Sequence, residues 1–270
     1  MLSFKLTPLF EGFSYIISNR SFPIDVIFLF EKLNIIYRLR EREVCMSKLL
    51  DIFIDLFKWP VAILSVASLP ALAKALDYLN VTNMRFVIFA VGMFVYLALK
   101  IVAGARTNVS MQILAHEFTH IFFALLTLHK VTHVHLNMDE SGGAMRFKGR
   151  GNWLIVIGPY FFPLFLFFMM LGITYFSSSI PDGYWVNGIL GYFFAYHVES
   201  IMVQIHGDQP DFKIVGFPFC IFFLPGANIF MCSMIVAFNN GGWLGIEKYI
   251  TIVSKLCVRY FDIALQYFTN

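Results

Sequence analysis

Apolar residues along this chain fall in long stretches separated by short polar breaks, and the stretches set the reading. Six read as membrane-crossing helices: Ile52–Ala73, Phe86–Val102, Val109–Leu126, Trp153–Phe176, Trp185–Ile205 and Ile214–Phe238. Each approaches the roughly 20 mostly apolar residues that span a hydrocarbon core. Trp153–Phe176 holds no Asp, Glu, Lys, Arg or His, while Gly158, Pro159 and Pro163 mark a place inside it where a helix could flex. Trp243–Phe268 differs, because Glu247, Lys248, Lys255, Arg259 and Asp262 are scattered among aromatics, which suits an amphipathic helix at the interface or against the bundle.

Between the third and fourth stretches the period changes. Val134, Leu136 and Met138 alternate with His133, His135 and Asn137. After Asp139-Glu140-Ser141-Gly142-Gly143 the alternation resumes, with Met145 and Phe147 against Arg146 and Lys148. A period of two on both sides of a Gly-containing turn predicts a β-hairpin. Its free edge, with Gly142 and Gly143 at the turn, could hold a peptide as an added strand; an ordinary connector is the other reading. The expected fold is therefore an all-α polytopic membrane protein of about six transmembrane helices with one small membrane-associated hairpin.

Residues 1–50 mix charges with short apolar runs and show no secretory signal pattern, so they read as a cytoplasmic or interfacial extension. Met46 is an alternative start, since Met-Ser-Lys leads straight into the first apolar stretch. Residues 51–240 form the membrane core and 241–270 the C-terminal amphipathic helix. Composition agrees: 59% of residues are hydrophobic and only 14% charged, with 32 Phe in 270, against the quarter charged of an ordinary soluble domain. A net charge of +3 gives no reason to expect nucleic acid. Cys45, Cys220, Cys232 and Cys257 have no metal-ligand or disulfide-framework spacing. Lys and Arg cluster in the N-terminal region, which favours a cytoplasmic N-terminus. The expected setting is a multi-pass protein of a bacterial inner membrane or an internal membrane.

Chemistry enters with His116-Glu117-Phe118-Thr119-His120, an HExxH sequence inside the third stretch. Positions i and i+4 share a helix face, so both imidazoles can hold one zinc ion while Glu117 sits beside the water it would deprotonate. The bland reading, two polar contacts between packed helices, leaves a carboxylate in an apolar stretch with no basic partner on its own helix. A catalytic zinc needs a third protein ligand. The break His206-Gly207-Asp208-Gln209-Pro210-Asp211 offers two carboxylates. Asp211, following Pro210 at the start of the sixth stretch, is the first choice and Asp208 the alternative; a solvated loop with a capping Asp is the plain reading. Glu199 is a further contender as a ligand, as a group that orients His116 or His120, or as the partner of a basic residue. His197 lies on a different face, and His129, His133 and His135 read as hydrogen-bonded or interfacial rather than as ligands.

The run from Ala115-His116-Glu117-Phe118-Thr119-His120-Ile121 through Ser141-Gly142-Gly143 to Gly158-Pro159-Tyr160, with an Asp opening a later helix, resembles the site-2 proteases, which are intramembrane zinc metalloproteases. The resemblance covers roughly residues 109–228. It implies that His116, His120 and an Asp bind Zn2+, that Glu117 is the general base, and that the substrate is a membrane protein or peptide cleaved within or near the bilayer. The family often shows Asp-Gly at its third ligand, whereas Asp211 is followed by Phe212. Asn228, a lone amide in the sixth stretch, could touch substrate backbone or form a helix–helix hydrogen bond. Two other functions stay open: a silent relative acting as scaffold or binding protein, and a membrane zinc hydrolase with a non-peptide substrate.

Overall fold

A computed structural model describes residues 45–103, 109–136, 143–176 and 184–269. The chain divides into Met1–Met46 and Ser47–Asn270. All but Cys45 and Met46 of the first unit lie outside the described residues, as does the expected hairpin turn with Gly142. Helix accounts for 82% of the structure, as long apolar stretches with few strand signals require.

The helices are α1 (Cys45–Ala67), α2 (Leu69–Ala75), α3 (Met84–Ala103), α4 (Val109–Leu126), α5 (Trp153–Ile157), α6 (Leu164–Tyr175), α7 (Trp185–Gln204), α8 (Pro210–Val215) and α9 (Phe217–Thr269). Two strands, β1 (Val131–Leu136) and β2 (Gly143–Phe147), pair antiparallel. Val134 faces Met145 and Leu136 faces Gly143, with a register shift between Val131 and His133. Gly143, Met145 and Phe147 are the half-buried positions of β2 and Ala144 and Arg146 the exposed ones, so the alternation in sequence is the alternation in burial.

By length and composition, two helices can cross a membrane: Met84–Val102 of α3 and Phe217–Tyr267 of α9. Two bent pairs, α1 with the segment Leu69–Tyr78 that contains α2, and α5 with α6, raise that to four if each is one span. Six spans are therefore not obtained among the described residues. The fourth stretch is bent by 81° where Gly158, Pro159 and Pro163 interrupt it. The HExxH helix α4 has 18 residues and α7 has 20, but both carry polar groups that dilute their apolar length. α9 is broken at Gly241 and Gly242, where Gly242 has φ +61 and only glycine adopts it cheaply.

Two packing features position the site. A Phe-rich core joins α4, α5, α8 and the start of α9 through Phe123, Trp153, Phe161, Phe212, Phe219 and Phe223. On the other side α3 and α7 touch backbone to backbone: a Cβ on Gly191 would lie 1.9 Å from the Phe89 carbonyl oxygen, and one on Gly92 1.9 Å from that of Gly188. Only hydrogen fits at such crossings, a device helices use where lipid offers no hydrophobic drive to associate.

Candidate metal centre

On α4 the i, i+4 spacing puts His116 and His120 side by side, with their Nε2 atoms 3.0 Å apart. Asp211, in the first turn of α8 just after Pro210, brings its Oδ2 to 3.5 Å from each. These three form the metal-capable donor group among the described residues.

The outer contacts fix which atoms face inward. His116 Nδ1 lies 2.9 Å from Gln204 Oε1, and His120 Nδ1 lies 2.7 Å from the Ile155 carbonyl oxygen. Neither oxygen has a proton to give, so each Nδ1 carries the N–H, and in the neutral imidazole that a metal would bind each Nε2 presents a lone pair. Gln204 is held in turn by donating to Ser200 Oγ at 2.8 Å. The Tyr160 hydroxyl donates to Asp211 Oδ2 at 2.9 Å. Every donor is thus oriented by a second contact, as is usual around metal ligands.

Geometry and chemistry both fit zinc. A tetrahedral ion with ligands at about 2.0–2.1 Å separates them by about 3.3 Å, and the observed separations are 3.0, 3.5 and 3.5 Å. The circle through atoms so spaced has a radius of about 1.9 Å, so an ion just off their plane meets all three at bonding distance. Two imidazole lone pairs and a carboxylate turned toward one point repel each other unless a cation lies between them. Two His and one carboxylate is also a donor set zinc accepts.

Glu117 is buried on the same helix. β2 comes so close that a Cβ on Gly143 would stand 2.5 Å from Glu117 Cγ. Glu117, His116 and Gly143 line a cavity of about 240 Å³ together with Gln112, Ile113, Gln204 and Gln209. One acid, one face of the donor cluster and three amides therefore border one space large enough for water and a segment of extended backbone.

The other sequence candidates lie elsewhere. Asp208 is exposed in the turn before α8 and outside the donor group. Glu199 accepts from the Tyr96 hydroxyl at 2.5 Å and pairs with Lys100, so it ties α7 to α3. His129 is buried against Asp51 and Thr127, and His197 is buried on α7. Asn228 donates to the carbonyls of Tyr160 and Leu224, a helix–helix bond, and leaves its Oδ1 buried without a partner. Tyr160 and Gln204 went unassigned in the sequence. The available signal for Gln204 was its i, i+4 relation to Ser200; Tyr160 offered none beyond its place after Gly158-Pro159.

Residues 86–198 match the family model described as Peptidase M50B-like, a span that holds the HExxH helix and the hairpin and ends before Asp211. Comparison with curated proteins and with solved structures gives no match.

Proposed function

Taking residues 86–198 as a segment of the Peptidase M50B-like family, a site-2 protease family, we propose that this chain is a membrane-embedded zinc metalloprotease that hydrolyses peptide bonds within or near the bilayer. The observation that carries the reading is the donor triangle of His116, His120 and Asp211 with a buried Glu117 beside it. Zinc held there would supply Lewis acidity, polarising the scissile carbonyl and making water acidic enough to lose a proton near neutral pH. Glu117 takes that proton and returns it to the departing amine nitrogen. Gln204, the Ile155 carbonyl and Tyr160 hold the three donors in place, so no rearrangement is needed at the moment of reaction. Gly143 keeps β2 against Glu117, and Gln112 and Gln209 bring amide groups to the cavity where extended substrate backbone would need partners. The substrate is a membrane protein or peptide that must unwind locally, because helical hydrogen bonding shields its carbonyls.

Glu117→Gln tests the role of the base. The protein in detergent should keep one zinc per chain while cleavage of a reporter transmembrane substrate falls at least a hundredfold, the scale expected for a lost general base. Undiminished cleavage by that variant would sink the protease reading. Loss of zinc from the Glu117 variant, with zinc kept by His116→Ala, would instead show that the metal site is misassigned.

A further inference from the structure

The polar side chains of α1 point inward and its apolar ones outward. Ile52, Phe53, Leu56, Trp59 and Ile63 are exposed, while Asp51, Asp55 and Lys58 share the more buried face with Ala62 and Ser65. The three charged residues stand at i, i+4 and i+7, one stripe of a helix. Ionisable groups inside an apolar stretch are costly and mark function more often than stability.

Two of the three register α1 against the histidine side of the metal centre. Asp51 Oδ1 accepts from Asn152 Nδ2 at 2.8 Å. Asn152 in turn caps α5, its Oδ1 accepting from the Ile155 amide at 3.3 Å, and the Ile155 carbonyl is the oxygen that orients His120. Asp55 Oδ1 accepts from the Trp153 amide at 3.3 Å, and the Ile54 carbonyl accepts from the Trp153 indole at 2.7 Å. The start of α5 is therefore tied to α1 at several points.

The third residue carries that registration to the other side of the centre. Lys58 Nζ donates to the Val215 carbonyl at 2.5 Å, at the C-terminal end of α8, where a cation complements the helix dipole. Val215 lies four residues after Asp211 in a helix of only six residues, with no side-chain cap at its start. A contact at one end of so short a helix sets the position of the other. The ammonium has little else to hold it. The Phe219 ring lies 5.1 Å away, and among the described residues Lys58 forms no ion pair. A cation kept without a counter-charge in an apolar stretch is hard to explain by stability. Further along the same face, Ser65 Oγ donates to the Phe223 carbonyl of α9, a helix without a metal ligand.

We propose that Lys58 is a positioning residue for the metal centre: with α1 fixed to α5 by Asp51 and Asp55, Lys58 sets where α8 holds Asp211 relative to His116 and His120. The proposal rests on the metal-centre reading above, and not on what is cleaved. Lys58 and Asp211 both lie outside the matched residues 86–198.

The test uses the full chain in detergent, stripped of metal, then titrated with zinc against a chelator and separately with cobalt(II), whose visible absorption reports coordination geometry. Wild type should take one ion per chain. Lys58→Met should bind zinc about tenfold more weakly, at the lower end for outer partners of metal ligands, and its cobalt spectrum should change. The metal-free Met variant should nevertheless unfold at the wild-type temperature or above it, because a charge has left an apolar stretch. Lys58→Arg, which keeps a donor for the Val215 carbonyl, should restore most of the affinity. Lys58→Gln is one bond too short to reach that carbonyl and should repeat the loss, which keeps the test open if the Met variant fails to fold. Ser65→Ala should lower the unfolding temperature and leave zinc affinity as in wild type. Wild-type affinity and cobalt spectrum in Lys58→Met or Lys58→Gln would overturn the positioning role. An equal loss of affinity in Ser65→Ala would overturn it too, since any loosening of α1 would then weaken the site. A wild-type chain that takes no metal would instead sink the metal-centre reading itself.

Discussion

Two imidazole Nε2 atoms 3.0 Å apart, with a carboxylate oxygen 3.5 Å from each, are a crowding of metal-capable atoms that the surrounding contacts enforce. His116 and His120 were legible because HExxH on a helix leaves little freedom. Asp211 was legible because Pro210 places it in a first turn, although that turn belongs to the short α8 and not to the long helix that follows. Tyr160 was not legible, since nothing in local sequence says that a tyrosine after Gly158-Pro159 reaches a carboxylate 51 residues away. Its hydroxyl is therefore a sharp test. Tyr160→Phe removes one hydrogen bond to Asp211 and keeps the ring against His116 and Phe212. Zinc affinity, measured by competition with a chromogenic chelator, should fall about tenfold, at the lower end for outer partners of metal ligands. An unchanged affinity would show that Asp211 needs no such anchor.

At the scale of elements, period was a good guide and length a poor one. The hairpin was readable because strand alternation places Met145 and Phe147 on one face whatever they pack against. The count of spans is not confirmed where one apolar run holds two short helices: the sharp bend between α5 and α6 falls at Gly158-Pro159 and Pro163, and hydrophobicity does not record direction. The pairing of α3 with α7 was equally silent, because Gly92, Gly188 and Gly191 matter only once two particular helices meet. Lys100 and Glu199 lock that pairing. Lys100→Met should lower the detergent unfolding transition by an amount corresponding to about 1–2 kcal/mol, because it leaves a half-buried carboxylate without its cation while the Tyr96 hydroxyl still donates to it. Adding Glu199→Gln to that variant should recover most of the loss, since an uncharged pair leaves nothing uncompensated. A double variant no more stable than the single one would show that the charges are not coupled.

For the whole molecule, the surface decides the environment. In the most apolar window of α3 only 17% of residues are buried, and Phe94, Ile101 and Val102 are 73%, 82% and 85% exposed. Water would not tolerate a helix so apolar and so bare, so lipid must cover it. The metal centre, by contrast, lies within one turn of the exposed segment 205–208, so water reaches the cleft at the end of α7 without a long channel. Cysteine labelling in native membranes tests both statements. In a chain whose four native cysteines are replaced by alanine, Phe94→Cys should react with a membrane-impermeant maleimide at least about tenfold more slowly than Asp208→Cys on opened vesicles, because a thiol in hydrocarbon cannot ionise. Detergent at denaturing concentration should equalise the two rates. Asp208→Cys labelling only when vesicles are opened, or also when they are sealed, reports which side the cleft faces. Equal rates at both positions in intact bilayers would mean that α3 is covered by protein or water instead of lipid, and a protease working inside the membrane would then have no membrane to work in.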